Sequence, residues 1–259
     1  MVTIERPRKK SLRFLFSHKG CCAKKKDLLK GIRIHTHILK RGHLLLEKDI
    51  YIGSALVGLY AKCGEFSKAH QVFEELPTRT TYSWNALLSL YAQQGQGHEA
   101  LQCLEAMQRD GFTPDSVSFT CILKACGKIK SLRHKCKQIH DEIVCSGLLR
   151  EDVILGTGLV DMYVQCGVLS KAQEVLDDLP VQDTVSWSTI IKGYSEHGQY
   201  HEALSSFNRL QSEGVSPDVV TFICILKACG NVGSIDKGMQ IHVEIVSKRL
   251  LEKDIVLGN

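Results

Sequence analysis

The strongest constraint on this chain is internal repetition with a period of 103 residues. The stretch 81–115 returns at 184–218, with Trp84 matching Trp187 and a terminal Pro-Asp pair in both copies. Self-similarity at a fixed spacing is typical of repeat architectures, in which one supersecondary element recurs and buries its apolar face only against its neighbours. The sequence therefore predicts an array of stacked units.

The sequence around this stretch repeats as well and divides the period into three unequal units. The first round consists of residues 50–80 (31 residues), 81–115 (35) and 116–152 (37), and the second of 153–183 (31), 184–218 (35) and 219–254 (36). Residues 255–259 match the beginning of a third round. We expect six units and the start of a seventh.

Each unit has the apolar spacing of two helices. In the unit 81–115, Trp84, Leu87, Leu88 and Tyr91 fall at i, i+3, i+4 and i+7, which is one face of a helix. Gly95 and Gly97 are expected to end it, and a second helix is predicted from about His98 to Arg109. Because neither helix can bury its apolar stripe alone, the pattern predicts an all-α superhelical solenoid.

Charge is distributed unevenly along the chain. Residues 1–50 hold 14 Lys or Arg and four Asp or Glu, whereas residues 51–259 hold 19 and 24. The repeats are therefore not broadly basic, and attraction to phosphate through net charge should be modest there. No apolar run approaches the roughly 18–20 residues that cross a bilayer, so no membrane partner is expected.

The basic N-terminal region has two interpretations. Residues 1–23 are predicted to be a poorly ordered basic segment, whose low acidity is also compatible with an organelle transit peptide. Residues 24–49 align with the longest unit, since 27–35 match 234–242 and both stretches end in Ile-His. We interpret 24–49 as a partial, eroded copy of that unit.

Six of the eleven cysteines recur at equivalent repeat positions, in the pairs Cys63 and Cys166, Cys121 and Cys224, and Cys126 and Cys229. This indicates small buried helix residues rather than disulfides or a metal site. Two H-x-E strings begin at His140 and His242, but no C-x-x-C follows, as a zinc deaminase would require. We interpret both strings as helix-surface residues, and expect no cofactor, no metal and no catalytic activity.

Together, the SWNALL and SWSTII starts, the Pro-Asp ends and the 31/35/36–37 alternation resemble the pentatricopeptide repeat family, and in particular its plant PLS subfamily. The resemblance assigns 50–80 and 153–183 as S repeats, 81–115 and 184–218 as P repeats, and 116–152 and 219–254 as L repeats. Residues 24–49 would be a partial L repeat and 255–259 the start of an S repeat. It implies an all-α, right-handed superhelical solenoid of antiparallel helix pairs.

The resemblance also implies a function. In that family each repeat reads one base of single-stranded RNA: the fifth and last residues contact the base edge, and the second residue stacks on base faces. The fifth-and-last pairs here are Ser54 with Thr80, Asn85 with Asp115, Thr120 with Asp152, Thr157 with Asp183, Ser188 with Asp218 and Ile223 with Asp254. The second-position residues are Tyr51, Tyr82, Val117, Ile154, Val185 and Val220.

The pairs differ in the preference that the resemblance implies. Asn85 with Asp115 resembles a combination that prefers U, whereas Thr157 and Ser188, each with its Asp, resemble combinations that prefer G. The pairs that begin with Ser54 and Ile223 match no strong combination, and the code is weaker in L repeats such as that of Thr120. The alternative for the Pro-Asp residues is local, since they could cap a turn or the next helix.

Three functions remain open at this point. The first is an RNA-binding adaptor in a mitochondrion or chloroplast, which places an editing or processing enzyme supplied in trans on a transcript. The second is a protein-interaction scaffold of the tetratricopeptide type, although that family keeps a uniform period of about 34 residues. The third is a truncated, non-functional family member.

Overall fold

The computed structural model describes residues 32–33, 35–36, 50–127, 129, 134–150 and 152–248. The described residues form α-helices with one short 3-10 helix and no strand, so the predicted all-α repeat fold is confirmed. The helices are α1 Ile50–Lys62, α2 Phe66–Glu74, α3 Thr81–Gln94, α4 Gly97–Arg109, α5 Ser116–Gly127, α6 Lys135–Ser146, α7 Val153–Gln165, α8 Leu169–Asp178, α9 Thr184–Glu196, α10 Tyr200–Ser212, α11 Val219–Val232 and α12 Ile235–Ser247. Of the described helices, none is long and apolar enough to cross a membrane.

The helices follow one another in pairs. One pair lies in each of the six predicted repeats, from α1 and α2 within 50–80 to α11 and α12 within 219–254. The exact repeat boundaries stay a prediction. The predicted basic segment 1–23 and the predicted repeat start 255–259 lie outside the described residues, and of 24–49 only residues 32, 33, 35 and 36 are described, all of them helical.

The chain divides into two units, Met1–Ala125 and Cys126–Asn259, with the end of α5 at the boundary. In the first unit α1 packs on both α2 and α3, and α3 packs on α4. The rings of Phe73 and Trp84 meet edge to face at 4.6 Å, and the Arg79 guanidinium lies 4.9 Å and 5.5 Å from their centroids. Arg79 also binds Asp110 at 2.9 Å, so one side chain joins the apolar core to the surface.

The second unit repeats this packing with different residues. Helix α9 packs on α7, α8, α10 and α11, and Trp187 on α9 is completely buried. Phe207 and Phe222 place their rings edge to face at 6.4 Å between α10 and α11. At Gly193 a Cβ atom would lie 2.6 Å from a methyl group of Val164, so the absence of a side chain permits the close approach of α7 and α9.

The turn within the second helix pair differs slightly from expectation. Gly95 ends α3 in the left-handed region at φ 70°, where glycine carries no steric cost. The sequence predicted that Gly97 would also end a helix. This prediction is wrong, since Gly97 is the first residue of α4 and is buried.

Candidate nucleic-acid interface

The six second-position residues share one property, which is unusual exposure for apolar side chains. They lie in the first turn of the first helix of each pair, and their relative exposure runs from 45% to 73%. They are Tyr51, Tyr82 and Val117 in the first unit and Ile154, Val185 and Val220 in the second. Solvent-exposed apolar side chains at equivalent positions suit contact with base faces rather than a folded core.

The fifth and last residues of the repeat 81–115 form a tight polar cluster. Asn85 Nδ2 donates to both carboxylate oxygens of Asp115, at 2.9 Å to Oδ1 and 3.0 Å to Oδ2. Asn85 lies in the second turn of α3 and is 8% exposed, and Asp115 immediately precedes α5. The structure therefore brings this predicted pair together across 30 residues of sequence, and it orients the amide.

Ser54 and Thr80 form the second pair that the structure brings together in the first unit. Their hydroxyl oxygens lie 2.9 Å apart, a distance at which either can donate. The pair thus has the same arrangement as Asn85 and Asp115, with neutral hydroxyl groups in place of the amide and the carboxylate.

The corresponding pairs of the second unit are not joined by a hydrogen bond between their side chains. Ser188 Oγ donates to the backbone oxygen of Val185 at 3.0 Å instead of approaching Asp218. Thr157 Oγ1 is buried and has no hydrogen-bond partner among the described residues. A buried hydroxyl without a partner is costly, so rotation of Thr157 toward a ligand would recover a hydrogen bond.

The last residue of a repeat also begins the next helix. The side chains of Thr80, Asp115, Asp152, Asp183 and Asp218 each accept from the backbone N–H three residues on, at 2.8 Å to 3.1 Å. These residues are therefore N-caps, which is the local role that the sequence offered as an alternative to base recognition. The two roles are compatible because a cap uses a single oxygen, and within the described residues no hydrogen bond uses Oδ2 of Asp183 or Asp218.

The remaining predicted site residues carry less information. Thr120 Oγ1 donates to the Ser116 backbone oxygen at 2.7 Å, while its predicted partner Asp152 belongs to the other unit. Ile223 is 36% exposed and offers no polar atom. Asp254 lies outside the described residues.

Sequence reasoning missed a hydroxyl residue at the third position of four of the six repeats, close to the last residue of the preceding repeat. The relevant residues, all completely buried, are Ser83, Ser118, Ser186 and Thr221. Ser83 completes a capping box with Thr80, since each side chain accepts a hydrogen bond from the backbone N–H of the other. A Ser or Thr three positions after the last residue of a repeat was the signal that could have identified them.

The two H-x-E strings differ in environment, which corrects the prediction that both lie on the surface. His140 Nδ1 lies 3.0 Å from the Tyr163 hydroxyl, with the rings edge to face, and His35 and Tyr60 form an equivalent pair at 2.8 Å. His242 is exposed, as predicted. Burial lowers the pKa of His140, and burial is also the main reason that the pKa of Tyr163 rises to about 12. The first string therefore contributes a packing contact between helices.

Basic side chains accompany three of the predicted reading positions. Lys124, Lys192 and Lys227 are exposed on α5, α9 and α11, four residues after the fifth residue of their repeats. Because residues four apart lie on the same helix face, each ammonium group is presented on the side that carries the fifth residue. Across the described part of the chain, no group of three or more His, Cys, Asp or Glu side chains is arranged to hold a metal.

Comparison with protein families gives matches along the described repeats. The model of the PPR repeat family matches residues 79–128 and 182–231, and that of the PPR repeat matches residues 54–79. Each of the two longer matches begins just before a first helix, α3 or α9, and extends to the end of the first helix of the following pair or to within one residue of it.

Similar proteins come from Arabidopsis thaliana. One pentatricopeptide repeat-containing protein is 36% identical over 231 residues, which is 89% of this chain and 33% of that protein. A chloroplastic relative is 33% identical over 92% of this chain and 38% of its own length, and a mitochondrial relative is 34% identical over 89% and 36%. The chain thus spans about a third of the length of the curated relatives that it matches.

Solved structures show the same fold. The crystal structure of the maize pentatricopeptide repeat protein PPR10 aligns with a TM-score of 0.51 and 19% identity, covering 88% of this chain and 38% of that one. The same protein in complex with an 18-nt psaJ RNA element aligns with a TM-score of 0.51 and 18% identity, covering 94% and 41%. At this identity the likeness concerns the arrangement of helices.

Proposed function

Because the chain belongs to the pentatricopeptide repeat family, we propose that it binds single-stranded RNA and reads one base with each helix pair. The second residue of a repeat would stack on the base, and the fifth and last residues would bind its Watson–Crick edge. Single-stranded RNA exposes that edge, so two polar side chains per repeat are enough to distinguish bases.

The observation that carries the proposal is the Asn85–Asp115 cluster. One N–H of the Asn85 amide can serve both carboxylate oxygens, at 2.9 Å and 3.0 Å, which leaves its second N–H for a base. Uracil presents a carbonyl acceptor beside the N3–H donor, so the amide can donate to O4 while the carboxylate accepts from N3–H. Cytosine presents an acceptor at N3, which a carboxylate repels. This repeat is therefore assigned to U.

The two hydroxyl–carboxylate pairs of the second unit are assigned to G. Guanine presents two adjacent donors, N1–H and N2–H, and a carboxylate is an acceptor for both. Thr157 or Ser188 would supply the hydroxyl that binds O6, after leaving the conformations that they adopt in the free protein. With the N-terminal repeat toward the 5′ end, the core preference is a U followed two and three positions later by G.

The biological setting is proposed from relatives and from repeat lengths. PPR10, which shares the fold, forms a complex with an 18-nt psaJ RNA element, and relatives of this chain carry chloroplastic or mitochondrial in their names. The alternation of 31, 35 and 36–37 residues supports the PLS subfamily. We infer an organelle adaptor that positions an editing or processing enzyme supplied in trans.

Selection of a random single-stranded RNA pool on the purified protein, at near-physiological salt, tests RNA reading. The expected product is enrichment of U followed two and three positions later by G. Asn85→Ser should convert the U position to G, since it recreates the Ser–Asp combination of Ser188 while keeping the Asp115 cap. Ser89→Ala, one turn further along α3, is the matched control and should keep U.

Two results would contradict the proposal. Protein that is folded by circular dichroism but enriches no sequence would exclude autonomous base recognition. Enrichment that Asn85→Ser leaves unchanged would exclude the assignment of this repeat to the U position. An adaptor role is tested separately, by asking whether bound RNA carrying the selected sequence brings an editing or processing activity from organelle extract to that site.

A further inference from the structure

Ser118 lies directly behind the proposed uracil site. It occupies the first turn of α5, it is completely buried, and its hydroxyl oxygen lies 2.5 Å from Asn85 Oδ1. The same oxygen lies 3.0 Å from Asp115 Oδ1 and accepts from the Asp115 backbone N–H at 3.2 Å. One serine therefore contacts both residues that are proposed to read the base.

The position of the hydroxyl proton follows from the distances. A hydroxyl has one proton, and two acceptor oxygens at 2.5 Å without a proton between them would repel each other. The proton of Ser118 is therefore donated to Asn85 Oδ1. Together with the Asp115 carboxylate, which binds Nδ2, Ser118 fixes both ends of the Asn85 amide.

This contact is specific to the 81–115 repeat among the described third-position residues. Ser83 Oγ donates to the Thr80 backbone oxygen, and Ser186 Oγ donates to the Asp183 backbone oxygen, both at 2.9 Å. Thr221 Oγ1 donates to its own cap, Asp218, at 2.7 Å. All of them lie at helix N-termini, yet only Ser118 has a hydrogen bond to the fifth residue of the preceding repeat.

We propose that Ser118 is a positioning residue that strengthens the choice of uracil over cytosine at this repeat; the proposal rests on the RNA reading proposed above. By occupying Asn85 Oδ1, Ser118 leaves the amide with only an N–H to offer a base. An unoccupied Oδ1 could accept from the N4 amino group of cytosine. Ser118 thus adds to the rejection of cytosine by the Asp115 carboxylate without touching the base.

The test is a panel of four RNAs that differ only at the base assigned to Asn85 and Asp115. We expect Ser118→Ala to lower the ratio of U affinity to C affinity about three- to tenfold, the value of one hydrogen bond, mainly by tightening the binding of C. The G preferences of the second unit should not change. Ser118→Thr should restore the ratio, because Thr221 shows that threonine fits the equivalent buried position.

Ser83→Ala and Ser186→Ala are the matched controls. Each removes a buried hydroxyl from the same turn of another helix, and neither should change the U-to-C ratio at this position. If Ser118→Ala does not fold, Ser118→Cys replaces it, since a thiol is of similar size but a weak donor, and the same fall in the ratio is expected.

The outcomes separate the two proposals. A wild-type preference for U that persists unchanged in the folded Ser118 variants overturns the role of Ser118 and leaves RNA reading intact. An equal change in Ser186→Ala also overturns it, since the effect would then be a general one of helix capping. A wild-type protein with no base preference at this position overturns both.

Discussion

Replacing Asp183 by asparagine or by alanine should separate helix capping from base recognition. Asp183 has extended backbone angles, φ −94° and ψ 174°, and its Oδ1 accepts from the Ser186 N–H at 2.8 Å at the start of α9. Alanine removes both the cap and the charge at a helix N-terminus, which together contribute about 1–2 kcal/mol. Asparagine keeps the cap and removes only the charge, at a cost of about 0.3–1 kcal/mol.

The effect on RNA should follow a different order. An amide presents an acceptor beside a donor, which complements the N1 acceptor and N6 amino donor of adenine, whereas a carboxylate complements the two donors of guanine. Asp183→Asn should therefore shift the preference of this repeat from G toward A about tenfold, the value of one net hydrogen bond. Asp183→Ala should weaken the binding of both purines without reversing their order.

Urea unfolding followed by circular dichroism measures the free energy of unfolding of each variant. Base preference is measured as the relative affinity for RNAs that differ only at the base assigned to Thr157 and Asp183. Two results would refute the reasoning. An alanine variant as stable as the wild type would show that the cap contributes nothing. An asparagine variant that keeps the wild-type preference for G would show that the carboxylate does not read this base.

Three further predictions concern stacking, packing and pH. Tyr82→Ala should weaken RNA binding at least tenfold in a filter-binding assay without changing base preference, because stacking on an aromatic ring contributes about 1–3 kcal/mol per base. Gly156→Ala should lower the free energy of unfolding in urea by about 1–3 kcal/mol, since the added Cβ would lie 2.6 Å from a methyl group of Leu179. Gly230→Ala, where nothing lies within 4 Å of the added Cβ, should instead raise it by about 0.5–1 kcal/mol. Equal effects of the two substitutions would refute the packing argument. Burial lowers the pKa of His140 from 6.5, so the unfolded state takes up the proton first and the free energy of unfolding should fall as pH drops below 6.5. In urea unfolding at a series of pH values, His140→Gln should reduce this dependence on pH, and an unchanged slope would contradict the argument.

The sequence alone was sufficient to predict the paired helices and much of the core. The 3.6-residue spacing that placed Trp84 and Leu88 on one face corresponds to side chains that are 3% and 0% exposed. Tyr91, assigned to the same face, is only half-buried, because it lies where α3 ends and the chain turns. Periodicity determines which side of a helix is covered, and it becomes less informative at helix ends.

Contacts between side chains distant in sequence could not be predicted in this way. The pairing of Asn85 with Ser118 spans 33 residues, and that of His140 with Tyr163 spans 23. Both depend on the rotamers that neighbouring helices permit, and a pattern of residue types does not contain that information. The sequence showed that Gln-Ile-His recurs in the two long repeats. It did not show that the histidine of the first copy, His140, contacts Tyr163 of the next repeat.

If the repeats read RNA as proposed, the N-caps at the repeat ends restrict how such an array could change its target. A residue at the last position of a repeat has to initiate the next helix, and only Asp, Asn, Ser, Thr and, less well, Gly do so. N-capping thus limits the last position of a repeat to a few small polar residue types, whatever base is bound there. Under the proposed RNA reading, a change from Asp183 to asparagine would alter base preference and keep the N-cap, whereas a residue that cannot cap would destabilise the start of the next helix. A change of RNA target would then arise mostly from substitutions at fifth positions such as Asn85, which do not cap a helix.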